Sequence, residues 1–109
     1  MLLKRARVEA YLPENRAEVY GNLRDAIEAE FLFTFGGCTV IKGIKGLYLV
    51  SGEKPEEDEI TLIYADTPFG LDDNFEAISE YTDAVREAAA EALPEQSILV
   101  VVHEVYHSI

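Results

Sequence analysis

Four small groups of residues have the types that chemistry needs. His103 and His107 come first, because histidine is the side chain best suited to proton transfer near neutral pH. Their spacing of four would make a metal pair on a helix. They lie, however, in the β-branched run SILVVVHEVYH, which reads as a strand. On a strand they stand about 13 Å apart and cannot share one ion. His103 therefore reads as a sheet residue with a hydrogen-bond partner, and His107 as a fraying terminal residue. The second group is GGCTVIKGIKG, the one glycine-dense stretch, which holds Lys42 and Lys45, two of only four lysines. Close backbone approach and two cations suit an anionic ligand. The segment matches no phosphate-loop pattern, since no GK[ST] precedes a helix. Its competing reading is a bulged edge strand whose lysines guard against aggregation.

The third group is Cys38, placed after a helix C-terminus, where the dipole raises a thiol pKa; it reads as a small buried residue. The fourth is the set of Asp66, Asp72 and Asp73 before the second helix, which could attract a hard cation. The spacing is not that of an EF-hand loop, and Asp72 and Asp73 have a sufficient role as helix caps. Tyr11, Tyr64 and Asp66 close the two strands expected at the centre of the sheet and would line any pocket at that end. Neither a cofactor nor a metal is implied by any of these groups.

The elements that position these residues follow from periodicity. Ala6, Val8, Ala10 and Leu12 alternate with Arg7, Glu9 and Tyr11, which predicts a half-buried strand over 5–12. Asn15 with Glu18 is spaced as a capping box. Val19, Leu23, Ile27 and Phe31 then form one apolar stripe, and Gly36-Gly37 stops the helix. The end Phe31-Leu32-Phe33-Thr34-Phe35 is apolar nearly all round and must be covered. Residues 38–50 predict a bent or bulged strand, or two short ones meeting at Gly43 and Gly46, and residues 51–59 a polar hairpin loop. A strand over 60–65 follows. A second helix starts near Asp73 or Asn74, with Phe75, Ile78, Tyr81, Val85, Ala89 and Ala92 at helical period and Leu71 placed as a staple. The last strand covers 97–107.

The order βαββαβ predicts an α+β, ferredoxin-like domain over residues 1–109. It is a four-stranded antiparallel sheet with two helices on one face, strands one and three central. The last strand then poses a question. Ile98, Val100 and Val102 point one way, while Leu99, Val101, His103 and Val105 point the other, so both faces are apolar. The open sheet face is expected to be covered by another subunit, because large exposed apolar patches are rare on monomers.

Composition narrows the partners. The chain has 109 residues, with 9 basic and 21 acidic side chains and a net charge of −12. That surface repels nucleic acid and anionic membranes, and Lys4, Arg5 and Arg7 are its only basic cluster. No window approaches the ~20 apolar residues of a membrane span. A single cysteine and no secretory-type N-terminus point to the cytoplasm.

The segments FGGCTVIKGIKGLY, IYADTPF, YTDAVREAAAEAL and ILVVVHEVYH resemble a small, uncharacterised family of bacterial proteins. That resemblance implies the fold and assigns no catalytic residue. The order of elements is also similar to that of the dimeric α/β-barrel proteins and the PII-like regulators, both of which use self-associating ferredoxin-like subunits. Two functions follow. One is a homo-oligomeric binding, regulatory or assembly module that leaves room for a small-molecule ligand, with Tyr11, Lys42, Lys45, Tyr64 and His103 as ligand-binding candidates. The other is a small cofactor-free enzyme of the dimeric α/β-barrel type, with its pocket on the open face. The lack of a convergent acid, base and nucleophile favours the first.

Overall fold

The computed structural model describes residues 1–49, 52 and 54–109. Its elements run β1 (Leu2–Pro13), α1 (Glu18–Phe35), β2 (Thr39–Leu49), β3 (Pro55–Asp66), α2 (Phe75–Ala92) and β4 (Leu99–Ser108). A single 3-10 turn over Asp72–Asn74 leads into α2. The sheet order is β2-β3-β1-β4 and every neighbouring pair is antiparallel. The architecture is ferredoxin-like, with β1 and β3 in the centre as the order of elements predicts.

The core lies between the sheet and the helices. Val8, Ala10 and Leu12 of β1 are buried with Leu23, Ile27 and Phe31 of α1 and Val85 and Ala89 of α2 in one cluster, and Ala6 is buried as well. Ile63 and Ala65 of β3 complete this layer. Full burial of side chains such as Phe31 or Ile63 contributes about 1.5–3 kcal/mol each. The period-2 pattern of β1 and the Leu23, Ile27 and Phe31 positions of α1 thus point where the sequence says they should, but Val19, read as the start of the same stripe, is 41% exposed.

Several boundaries differ from expectation. β1 is longer, because β4 supplies hydrogen-bonding partners as far as Leu2, opposite Ser108. α1 starts at Glu18 rather than Asn15. The Asn15 side chain accepts from the backbone N–H of Ala17 at 3.1 Å, which is a local turn and not a capping box. The expected 51–59 loop is largely strand. Residues 56–59 pair with 45–48, and Leu49 faces Pro55, so the hairpin extends beyond β1, whose last partner is Ile60. Ser51 and Glu53 of that loop, and Val50 at the end of the predicted second strand, lie outside the described residues. The polarity of EEDE reflects a ribbon wet on both sides, which a sequence pattern cannot tell from a loop.

The bend in β2 is a bulge between Ile41 and Ile44, where Gly43 takes φ 74°. Gly36 ends α1 at φ 83°, its N–H donating to the Leu32 carbonyl. No side-chain cap starts α2, so the capping role expected of Asp72 and Asp73 is not made, and Asp72 instead lies 3.8 Å from Lys4. Phe75 is largely exposed and not part of the buried stripe. The apolar end of α1 is covered on one side only: Phe31 is buried, while Phe33 is 93% exposed.

Candidate functional site

The open face of the sheet is built by alternate residues of all four strands. β1 contributes Arg5, Arg7, Glu9 and Tyr11; β4 contributes Leu99, Val101, His103, Val105 and His107. β3 contributes Ile60, Leu62, Tyr64 and Asp66, and β2 contributes Ile41 and Ile44. The register divides these residues into two zones. Towards the hairpin, Ile41, Leu62, Tyr11 and Leu99 form one transverse row, and Ile44, Ile60 and Pro13 the start of another. Leu99 is 56% exposed and Ile41 43%.

Towards the opposite end the face is ionic. Arg7 Nε donates to Asp66 Oδ1 at 2.6 Å and its Nη2 to Oδ2 at 3.0 Å, a two-point guanidinium–carboxylate pair. His107 Nε2 lies 2.6 Å from the same Oδ2. The Arg7 guanidinium stacks over the Tyr64 ring at 4.3 Å. Beside it, Glu9 lies 3.4 Å from His103 Nε2 and accepts from the Tyr11 hydroxyl at 3.3 Å. Hydrogen bonds from Arg7, opposed by burial and aided by His107, hold the Asp66 carboxyl below its usual value. Burial, with the Glu9 charge, pushes the Tyr11 phenol up.

Of the five sequence-predicted residues, the structure brings Tyr11, Tyr64 and His103 together around Glu9. The idea that Tyr11, Tyr64 and Asp66 share one end of the sheet is wrong. β1 and β3 are antiparallel, so their C-terminal ends are opposite, and Tyr11 faces Leu62 while Asp66 faces Arg7. His107 is not a frayed residue; β4 pairs with β1 through Ser108 and the imidazole contacts Asp66. Arg7 and Glu9 were missed as site residues, and Asp66 was read beside Tyr11 rather than beside Arg7. The signal of Arg7 and Glu9 was present as the polar half of the β1 alternation, but pairing them needs the strand register.

Lys42 and Lys45 separate. Lys45 is exposed and lies 3.5 Å from Glu57 across the hairpin. Lys42 sits in the β2 bulge and lines a cleft of about 630 Å³ with Glu14, Asn15, Arg16, Arg24, Glu59 and Thr61. At its base the Thr61 hydroxyl donates to Glu14 Oε1, and Arg24 Nη1 donates to both Glu14 oxygens at 3.1 Å. Burial pushes the Glu14 carboxyl up, but hydrogen bonds from Thr61 and Arg24 and the charges of Arg24 and Lys42 more than offset it, and it sits below its usual value.

Cys38 belongs to neither site. Its thiol faces the Glu28 carbonyl at 3.9 Å, and burial and the Glu28 charge push its pKa up. Among the described residues no three side chains are placed to hold a metal ion, and no helix is long and apolar enough to cross a membrane.

No family model and no curated protein matches the sequence. Solved structures match its shape. The nitrogen regulatory PII-like protein CPII from Thiomonas intermedia K12, bound to ADP, AMP and bicarbonate, is 17% identical over 100% of this chain and 98% of its own, with a TM-score of 0.53. The same protein bound to ADP, AMP and acetate gives a TM-score of 0.56, with 17% identity over 100% and 93% of the two chains. CutA1 from Oryza sativa is 17% identical over 98% of this chain and 84% of its own, at a TM-score of 0.54. At such identities the likeness is one of fold, and the chain shares the ferredoxin-like architecture of these PII-like and CutA1 proteins.

Proposed function

We propose that residues 1–109 act as one cytoplasmic domain, a homo-oligomeric binding and regulatory module that assembles through its open sheet face. One observation carries this reading. Leu99, Ile41, Ile44 and Val101 place apolar surface on a sheet face that no helix covers, and soluble monomers rarely leave such a face wet. In the ionic half the Arg7 and Asp66 charges are paired inside the subunit, which lowers the cost of burying them. The regulatory role named for CPII, and the small ligands it is bound to, support the binding half of the reading by analogy of fold.

Sedimentation velocity tests assembly. The parent chain should sediment as an oligomer on the order of tens of micromolar, because mass action favours assembly there. Leu99→Glu and Ile41→Glu place a charge at positions open in the single subunit, so each should leave the subunit folded and dissociate it. A folded parent that sediments as a monomer, or variants that assemble as the parent does, would overturn the reading. The enzyme alternative is favoured by one contact, the Glu9 carboxylate shared by His103 and Tyr11. A polar-lined cavity around Glu9 in the assembled protein would support it, whereas a dry sheet contact would exclude it.

A further inference from the structure

The cleft at Lys42 brings three cations from three separate segments to one place. Arg16 comes from the β1–α1 connection, Arg24 from the second turn of α1, and Lys42 from the β2 bulge. The chain as a whole carries −12, with nine basic residues in all. A third of its positive charge is therefore concentrated in one cleft, against two carboxylates, Glu14 and Glu59.

Glu14 is already committed. Its Oε1 accepts from Thr61 and Arg24, and its Oε2 from Arg24. Thr61 is wholly buried, so this carboxylate is fixed to the sheet and in turn fixes Arg24. Arg24 uses only Nη1 in those bonds. Among the described residues its Nε and Nη2 donate to no protein acceptor, and Arg16 and Lys42 are in no ion pair. A guanidinium held rigidly with donors to spare, beside two unpaired cations, is a receptor for a polyvalent oxyanion. We infer that this cleft binds a small phosphorylated metabolite. Arg24 is the preorganised donor, and Arg16 and Lys42 close on the phosphate group. The volume of about 630 Å³ exceeds what a bare phosphate fills and suits a small organic ligand. Lys42 lies in the bulge where Gly43 takes φ 74° and lines the cleft with Glu14, whereas Lys45 lies against Glu57 across the hairpin.

This inference rests on the small-ligand half of the proposed function and not on assembly through the sheet face, so the two can fail separately. The test is a backbone-amide NMR titration of the full chain at constant ionic strength, with orthophosphate, glycerol phosphate, malonate and chloride as separate probes. Saturable shifts should appear around Glu14, Arg16, Lys42 and Thr61 with glycerol phosphate. Weaker ones should appear with orthophosphate, and none with chloride. Lys42→Gln and Arg16→Gln, both at exposed positions, should each weaken glycerol phosphate binding about tenfold while leaving the melting temperature unchanged. Lys45→Gln should leave binding intact. Tighter binding of malonate than of the phosphates would overturn the assignment of ligand class. Absent shifts, or shifts unaffected by either cleft variant, would overturn the site.

Discussion

Asp66→Asn is the sharpest probe of the ionic half of the open face. The carboxylate accepts two bonds from Arg7, at 2.6 and 3.0 Å, and meets His107 at 2.6 Å. The side chains of Arg7 and Asp66 are 26% and 18% exposed, so the pair lies between the surface and fully buried cases. Asparagine keeps the shape and one acceptor but removes the charge and one of the two Arg7 bonds. Charge-assisted bonds contribute about 1.5–3 kcal/mol each and exposed pairs at most about 1, so the loss should be about 2–3 kcal/mol at neutral pH. For a chain of this size that is roughly 8–12 °C in melting temperature. Circular-dichroism melts at fixed protein concentration would measure it. The pH dependence gives a second check. Because the native carboxyl is held below its usual value, its contribution is whole above the ordinary carboxylate pKa. It fades as pH falls through the lowered native value. Parent and variant should therefore converge in acid. A gap below about 2 °C at neutral pH, or one that persists after both curves pass the acid limb, would refute this account of the pair.

Four further outcomes follow from the packing and the backbone. Phe31→Ala empties a wholly buried site and should cost about 3–5 kcal/mol in urea unfolding. Gly43→Ala meets no neighbour within 4 Å but forces φ 74° on an L residue, so it should lose about 1–2 kcal/mol. Gly37→Ala, equally open and without positive φ, should lose nothing or gain up to about 1 kcal/mol in the same assay. The Cys38 thiol should react with a disulfide reagent more slowly than a free thiol at pH 8, and speed up only in stronger base, because burial and Glu28 hold it protonated.

The fold was legible because its core is written in two clean periods. Ala6-Val8-Ala10-Leu12 and Leu23-Ile27-Phe31 are buried as read. The length of the hairpin's strands was not legible. Residues 56–59 are strand only because 45–48 pair with them, and local composition carries no trace of that partner. The candidate site was half legible for the same reason. Tyr11, Tyr64, His103 and Asp66 stood out by type or place, whereas Arg7 is an ordinary charged residue until the antiparallel register sets it opposite Asp66. Lys42 and Lys45, three apart in sequence, looked like one site. Gly43 of the bulge lies between them, and Lys45 pairs with Glu57 while Lys42 lines the cleft at Glu14.

The open face also changes what the apolar last strand means. Read alone, β4 asks for a dry partner. Read with β1 beside it, the same face carries Arg7, Glu9 and the two histidines among Val101 and Val105. Arg7 and Asp66 pair with each other inside the subunit, and His107 and His103 lie against Asp66 and Glu9, so an approaching surface would not have to supply a counter-ion for Arg7. Desolvating a paired, hydrogen-bonded set costs far less than desolvating a lone charge. Association can then be driven by the exposed Ile41 and Leu99, with the ionic zone contributing register more than affinity. Arg5 is the exception. It stands on the same face, and its guanidinium donates only to the Lys4 carbonyl among the described residues. In the proposed assembly Arg5 is therefore the position on this face that would gain most from a carboxylate contributed by a second copy.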